Sequence, residues 1–353
     1  MDLKDLRKSI DTIDEKIVGL LNKRAEVTYD IASQKRKIGK SLYSPERERE
    51  VLRRLALVNK GPLNSGALEA IYREIMSCSL AIGKPLKIAY LGPEASFTNL
   101  AALKRFGSQV EYVSCSSIAE IFLEVERDNV DYGVVPIENS IEGAISHTLD
   151  MFVDSDLKIC SQIILDVSHN LLANCAKDKI KKVYSNPYVF GQCRLWLQKN
   201  LNNVEEIEVS STTRAAKIAA KEKNSACIAS LLAAKIYKLK VIASSIEDSP
   251  HNITRFMVIG KADVPATGRD KTSILFSVKD KVGALHDMLI PFKKYGINLT
   301  KIESRPSKRK AWDYYFYVDL EGHKDSVNVQ KALDALEEKC KFLKILGSYS
   351  VGE

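Results

Sequence analysis

The sequence predicts a multidomain chain: an all-α segment, a two-lobed α/β region and an α+β module of ferredoxin-like order. Three observations carry this. Apolar residues recur at three- and four-residue spacing through about residue 80. Strands and helices then alternate to about residue 261. The remainder runs strand, helix, strand, strand, helix, strand. At 353 residues the chain has room for two or three domains.

In the first segment Leu3, Leu6, Ile10, Ile13, Ile17, Leu20, Val27 and Ile31 mark the seam of one long packed helix. Arg24 interrupts that seam. Pro45 opens a second helix, Glu46 to about Asn59, with Ser44 placed as its N-cap. Lys60-Gly61-Pro62 ends it, and a third helix runs from about Ser65 to Ile82. So small a helical segment has too little core alone, which predicts pairing with a second copy of the chain.

Ile82-Gly83-Lys84-Pro85 breaks the pattern. Strand Lys87–Leu91 leads into Gly-Pro-Glu-Ala-Ser and a helix from Asn99. Tyr132–Pro136 leads through Ile137-Glu138-Asn139-Ser140 into another helix. Lys182–Ser185 precedes Asn186-Pro187 and a helix through Trp196. Glu206–Ser210 precedes Ser211-Thr212-Thr213, and Ala226–Ser230 precedes Leu231–Tyr237. This repetition predicts parallel sheets covered on both faces. Residues 262–270, with Pro265 and Gly268, read as a linker. Beyond it come a strand (272–279), a helix (283–295), two strands (297–304 and 312–320), a helix (325–340) and a strand (342–350). The expected domains are 1–84, 86–261 and 270–353.

Composition narrows the function classes. Hydrophobic residues make up 45% and charged residues 28%, an ordinary globular balance that argues against long disordered stretches. No apolar run approaches the ~18 residues of a membrane span. The charged start, Met1-Asp2-Leu3-Lys4-Asp5, has no apolar core of a signal peptide. Seven scattered cysteines without a CxxC predict reduced thiols in the cytoplasm, with no disulfide framework or thiolate zinc site. The net charge of +8 is spread among acidic residues. It suits small anionic metabolites better than nucleic acid.

Arg24 is the informative residue of the helical segment. A guanidinium on an aliphatic seam is costly unless an anion meets it, either a ligand or a structural Glu. Lys35 follows after about three helical turns and shares its face, whereas Arg7 lies roughly 100° around the helix. In the middle region Ser96, Asn139, Ser140, Ser185, Ser211, Thr212 and Ser230 all fall just after strand ends. There ligands sit in open α/β sheets, and helix N-termini offer N–H groups to anions. Each such hydroxyl also reads as a helix cap. No GxGxxG or P-loop points to a nucleotide, and the five histidines have no metal-ligand spacing.

Three family resemblances follow from these residues. Leu6-Arg7-x-x-Ile10-Asp11-x-x-Asp14, Leu21-x-x-Arg24, Lys35 and Pro45-Glu46-Arg47-Glu48 resemble the all-helical class of chorismate mutase over about residues 1–83. The resemblance implies an intertwined dimer. In it Arg7 (across the dimer), Arg24 and Arg47 bind the carboxylates of chorismate, Lys35 faces the ether oxygen and Glu48 the ring hydroxyl. Ser79 matches the pattern. Ser44 stands where an Asp is frequent, and Gly83 where a Gln or Glu usually helps Lys35.

Gly92-Pro93-Glu94-Ala95-Ser96-Phe97-Thr98, Val135-Pro136-Ile137-Glu138-Asn139-Ser140, Ser185-Asn186-Pro187 with Gln192-Cys193, Ser211-Thr212-Thr213-Arg214 and Asn252-x-Thr254-Arg255-Phe256 resemble prephenate dehydratase over about 86–261. That implies a bilobal domain like a periplasmic binding protein. Thr254 would sit at the leaving hydroxyl, its hydrogen bonding relayed by Glu138. Ser96, Glu138, Asn139, Ser140, Ser185, Gln192 and Thr212 would bind prephenate, and Arg255 would offset carboxylate charge. Gly283-Ala284-Leu285-His286 and Glu303-Ser304-Arg305-Pro306 resemble the ACT regulatory domain. Gly283, Ala284, Leu285, Glu303, Ser304 and Arg305 would then bind phenylalanine, with Gly283 permitting close backbone approach.

Together the resemblances imply an enzyme that rearranges chorismate to prephenate and converts prephenate to phenylpyruvate under feedback by L-phenylalanine. It would need no cofactor or metal. Its partners would be these small molecules and a second copy of itself, in a homodimer or a pair of dimers, with no nucleic acid or membrane. Two rivals stand beside this. In one the helical segment is a degenerate dimerisation module on a dehydratase, as Ser44 and Gly83 suggest. In the other the chain is a non-catalytic amino-acid sensor, against which the Thr-Arg-Phe triplet speaks.

Overall fold

Three helices make the first unit of the computed structural model, which describes residues 2–38, 43–81, 85–278, 281–307 and 314–351. This unit comprises Met1–Lys87 together with Arg105–Glu111, and the second comprises Ile88–Lys104 and Tyr112–Glu353. The helices are α1 (Leu3–Lys37), α2 (Pro45–Val58) and α3 (Ser65–Ala81). Pro45 begins α2 as the sequence predicts, since its fixed φ suits a first turn. Ser44 does occupy the N-cap position, but its hydroxyl bonds the Glu46 carboxylate instead of capping the backbone. Asn64 caps α3, its side-chain oxygen accepting the Ala67 N–H at 2.8 Å. The α1 seam stays open to solvent: Leu6, Ile10, Ile13, Ile17 and Leu20 are 46–68% exposed.

Residues 105–111 are fastened to α3. The Ser108 N–H and hydroxyl both donate to the Glu74 carboxylate, at 3.2 and 2.6 Å, and the Gln109 N–H donates to the Ser77 hydroxyl at 3.0 Å. Gly107 makes this approach possible. Its φ is +73°, and a Cβ there would lie 2.5 Å from the Ser77 Cβ.

The second unit begins with β1 (Lys87–Leu91), α4 (Phe97–Phe106), β2 (Glu111–Cys115), α5 (Ile118–Glu126), β3 (Tyr132–Asn139), β4 (Gly143–Ala144), α6 (Ser146–Asp154) and β5 (Lys158–Asp166). It continues through β6 (Asn170–Ala173), a 3-10 turn at Lys177–Lys179, β7 (Lys182–Ser185), α7 (Pro187–Gln192), α8 (Arg194–Asn200), β8 (Glu205–Glu208), α9 (Thr212–Ala219), β9 (Ser225–Ala229), α10 (Leu231–Tyr237), β10 (Lys240–Ala243) and β11 (Ile253–Gly260). One sheet has the order β2-β1-β3-β11-β5, with β4 beside β3, and the other β10-β6-β9-β7-β8. These are the two lobes.

The expected parallel sheets hold only in part. β1 pairs parallel with β3, and β7 pairs parallel with both β8 and β9. β11 runs antiparallel to β3 and β5, and β6 antiparallel to β9 and β10. The chain crosses between lobes at 167–169 and returns at 244–252. Neither crossing carries the helix that a right-handed βαβ step requires, so the strands they deliver escape the parallel rule.

The last part is β12 (Asp270–Ser277), α11 (Ala284–Lys294), β13 (Leu299–Pro306), β14 (Tyr314–Glu321), α12 (Val327–Glu337) and β15 (Phe342–Ser350). Its antiparallel sheet has the order β13-β14-β12-β15, so the ferredoxin-like order read from the sequence is present. Leu275, Tyr317, Leu346 and Tyr349 of this module join the core of the first lobe with Phe122, Phe152 and Ile159. The lobe and the module therefore share one apolar interior.

Gly347 sits at that junction with φ +154°, and a Cβ there would lie 2.3 Å from the Ile159 carbonyl oxygen. Backbone cannot yield as a side chain can. Gly347→Ala is expected to destabilise the protein by about 1–3 kcal/mol, read as a lower midpoint in chemical denaturation. An unchanged midpoint would refute the contact.

Candidate active sites

In the first unit a cavity of about 590 Å³ gathers side chains from all three helices. α1 contributes Lys23, Arg24 and Lys35, α2 contributes Arg47, Glu48 and Arg54, and α3 contributes Tyr72, Met76 and Ser79. Arg24 donates to the Ser79 hydroxyl at 2.6 Å, and Ser79 donates to the Ile75 carbonyl at 2.8 Å. Among the described residues Arg24 pairs with no carboxylate, so a structural Glu does not account for it. Arg47 bonds Glu50 one turn along its own helix at 2.6 Å. Glu48 is the cavity's carboxylate. Burial raises its pKa, and the Arg105 guanidinium, 3.2 Å away, works against that rise. A hollow with several cations and apolar walls suits a small dianion.

In the second unit a chain of side-chain bonds crosses between the lobes. Asn139 Nδ2 donates to Thr254 Oγ1 and to Asn252 Oδ1, both at 2.8 Å. Asn252 Nδ2 donates to Gln192 Oε1 at 2.9 Å, and His169 Nε2 meets the same oxygen at 2.7 Å. Gln192 Nε2 in turn donates to Glu142 at 3.1 Å. With Gln192 Oε1 accepting, Nε2 of His169 carries the proton, and its Nδ1 remains a buried acceptor without a partner among the described residues. Burial lowers the His169 pKa, against a smaller opposing effect of the Gln192 bond, so the ring is neutral near pH 7. Thr254 is 8% exposed. Its oxygen accepts from Asn139, which leaves its hydrogen uncommitted among the described residues and able to donate to a ligand.

Register explains this grouping. Thr254 stands opposite Asn139 on adjacent strands, and Arg255 stands opposite Glu138. Successive strand residues point to opposite faces, so the two rungs face different neighbours. The Arg255 guanidinium meets Asp319 at 2.6 Å, the Tyr349 hydroxyl at 2.8 Å, Gln162 at 3.1 Å and Glu138 at 3.7 Å. Glu138 also pairs with Lys301 at 2.9 Å. Asp319, Tyr349 and Lys301 all belong to the ferredoxin-like module.

The comparisons with known proteins agree with this division. Family models described as "Chorismate mutase type II", "Prephenate dehydratase" and "ACT domain" match residues 6–84, 88–264 and 272–338. A bifunctional chorismate mutase/prephenate dehydratase of Aquifex aeolicus is 51% identical, the match covering 99% of this chain and 98% of the relative. The chain belongs to the bifunctional chorismate mutase/prephenate dehydratase family. A second such protein, from Pseudomonas aeruginosa, is 45% identical over 98% of this chain and 97% of its own length. Among solved structures, a prephenate dehydratase from Arthrobacter aurescens in complex with L-Phe superposes with a TM-score of 0.71 at 30% identity. That match covers 75% of this chain and 90% of the other.

Of the mutase positions, the structure brings Arg24, Lys35, Arg47, Glu48 and Ser79 to one cavity. Arg7 does not line it and lies exposed on α1. Gly83 lies outside the described residues.

Of the dehydratase positions, Thr254, Asn139 and Gln192 share the bonded chain. Others have structural engagements. Ser96 donates to the Leu91 carbonyl at 2.7 Å and caps α4 through the Asn99 N–H. Ser185 is fully buried and donates to the Ile228 carbonyl at 3.0 Å, which closes it to a ligand in this conformation. Ser140 ties β3 to the start of β11, donating to the His251 carbonyl and accepting from the Ile253 N–H. Thr212 lies in the first turn of α9, which Ser211 caps. Arg255 and Glu138 form the neighbouring rung to Thr254 and Asn139, on the opposite strand face, where Arg255 pairs with Asp319 and Glu138 with Lys301.

Of the ACT positions, Gly283–Leu285 start α11, and Glu303–Arg305 lie on the edge strand β13. Gly283 has φ +79° with open space around a would-be Cβ, so backbone conformation by itself favours glycine here. Arg305 pairs with Asp150 of α6 at 3.5 Å.

Sequence reasoning missed His169, Glu142 and a role for Asn252. Asn252 stood inside a recognised motif, and counting two residues back from Thr254 puts it on the same strand face. Nothing in the sequence joins His169 to Gln192, because their bond depends on how the lobes meet. Burial raises the Cys115 and Cys160 thiol pKa values to about 11 and about 12, so neither serves as a nucleophile near neutral pH. Among the described residues no cluster of metal-ligand composition occurs, and no helix is long and apolar enough to cross a membrane.

Proposed function

We propose that the chain performs two consecutive reactions on one carbon skeleton, with L-phenylalanine as feedback inhibitor. In the helical unit chorismate rearranges to prephenate. One C–O bond breaks and one C–C bond forms, with no nucleophile. Arg24 and Arg47 hold the carboxylates, with Arg7 of a second protomer completing the set. Lys35 and the Arg24–Ser79 pair face the developing charge, and Glu48 receives the ring hydroxyl. Preorganised cations of this kind act by holding the reactive conformer and stabilising charge as it grows. The observation that carries the reading is the single cavity in which the spaced cations, the carboxylate and the serine meet. It also disfavours the degenerate-module rival.

At the lobe junction prephenate loses water and carbon dioxide. The ring carboxyl leaves as carbon dioxide, its bonding pair completes the aromatic ring, and hydroxide departs with a donated hydrogen bond. Thr254 supplies that bond, and Asn139 fixes its hydroxyl. Asn252 and Gln192 hold the frame, with His169 Nδ1 as a free acceptor. Ser96, Ser140 and Thr212 are assigned to substrate binding from their place after strand ends. A threonine is a weak acid, so its contribution is positioning and hydrogen bonding.

The domains we assign are 1–84 for the mutase, 86–261 for the dehydratase and 270–353 for the regulatory module. A homodimer, joined through the exposed α1 seam, follows from the apolar residues left open there. The seven unbridged cysteines favour the cytoplasm. Phenylalanine binds Gly283–Leu285 and Glu303–Arg305. Lys301, Glu303 and Arg305 share one face of β13, and Lys301 and Arg305 hold Glu138 and Asp150. A shift of β13 therefore reaches Asn139 through its neighbour Glu138.

Thr254→Ala is expected to lower prephenate dehydration by about 10²–10³ while leaving chorismate consumption intact, and Arg24→Ala to do the reverse. Loss of both activities in either variant would contradict two separate sites. Arg305→Ala is expected to keep dehydration but weaken its inhibition by phenylalanine. An unaltered inhibition curve would place the effector elsewhere.

A further inference from the structure

One charged group at the mutase cavity comes from outside the sequence matched to the mutase family. Arg105 belongs to the stretch matched to prephenate dehydratase, yet it groups with the helical unit. Its Nη2 lies 3.2 Å from the Glu48 carboxylate. Its Nε donates to the Tyr43 hydroxyl at 2.5 Å, and its guanidinium carbon stands 5.4 Å from the centre of the Tyr43 ring. Both ends of the ion pair are largely buried, their side chains 19% and 15% exposed. The segment that carries Arg105 cannot drift, because Gly107, Ser108 and Gln109 are seated on Ser77 and Glu74 of α3.

We propose that Arg105 is a positioning residue of the mutase reaction: it holds the Glu48 carboxylate in charge and in place at the cavity wall. The inference rests on the reading of Glu48 as the acceptor for the ring hydroxyl of chorismate. A buried carboxylate reverts to the neutral acid unless a cation compensates it. Around Glu48 stand Glu46 and Arg49 on its own helix, Arg73 on α3, and Arg105 with Tyr43. Arg24 and Lys35 line the same cavity from α1. Of the charges acting on Glu48, Arg105 has the largest effect. A neutral Glu48 donates a hydrogen bond where an acceptor is needed. Mutase activity therefore depends on a residue of the dehydratase sequence, although Arg105 touches no substrate.

The test uses the full chain with Arg105→Gln, Arg105→Lys, Tyr43→Phe and Glu48→Gln. kcat/KM for chorismate is followed against pH, with prephenate dehydration as the measure of folding. Glu48 must be ionised, so activity falls as pH drops through its pKa. Removing the compensating charge moves that acidic limb upward, by about one to three pH units in Arg105→Gln. Arg105→Lys restores most of the wild-type profile, and Tyr43→Phe gives a smaller upward shift that serves should Arg105→Gln fail to fold. A limb that stays in place in the folded variants, while Glu48→Gln still lowers mutase activity, overturns the role of Arg105 and spares that of Glu48. Unchanged activity in Glu48→Gln overturns the reading of the cavity itself.

Discussion

The two-residue repeat of a β-strand governs the catalytic half of this molecule. On β3 and β11 one cross-strand rung, Asn139 with Thr254, faces the lobe junction, and the next, Glu138 with Arg255, faces the regulatory module. No side-chain flexibility can exchange these faces without slipping the register, and a slip would also carry Phe256, Met257 and their neighbours out of the core. Adjacent residues in one motif thus do different work. The threonine accepts a hydrogen bond from Asn139 at the lobe junction, which is what the proposed role at the departing hydroxyl rests on. The arginine, held by Asp319 and Tyr349, anchors the strand to the ferredoxin-like module.

The same rung would give the proposed feedback a short physical route. Glu138 receives Lys301 from β13 and lies beside Asn139, whose amide fixes the Thr254 hydroxyl. A displacement of β13 would alter an ion pair one residue from the bond that holds the Thr254 hydroxyl. The shared apolar interior of lobe and module, with Gly347 pressed on Ile159, makes independent movement costly. The mutase cavity works by another principle. Its cations already line one cavity without a substrate, and a buried guanidinium stands beside the cavity's carboxylate, Glu48.

Much of this was legible in the chain. The α1 seam, Pro45 at the head of α2 and the strand–helix order of the last module came directly from periodicity and turn chemistry. That Arg24 and Lys35 share a face was legible because one helix fixes their relative angle over three turns. Elsewhere the sequence misled for definable reasons. Hydroxyls after strand ends do two jobs, and Ser96 and Ser185 turned out to serve the backbone. The antiparallel strands β6 and β11 were hidden because their crossings between lobes look like ordinary loops. Contacts across long separations, such as His169 with Gln192 or Arg105 with Glu48, leave no local trace. That Arg255 faces away from Thr254 was legible from sequence alone, since neighbours on a strand point to opposite faces.

The most direct test of the account is the crystal structure of this protein with a stable mimic of prephenate bound. The account predicts the mimic's hydroxyl within hydrogen-bond distance of Thr254, with Asn139 still bonded to that threonine and Arg255 still bonded to Asp319. A mimic gripped by Arg255, with the Asp319 pair broken and Thr254 facing away, would contradict it.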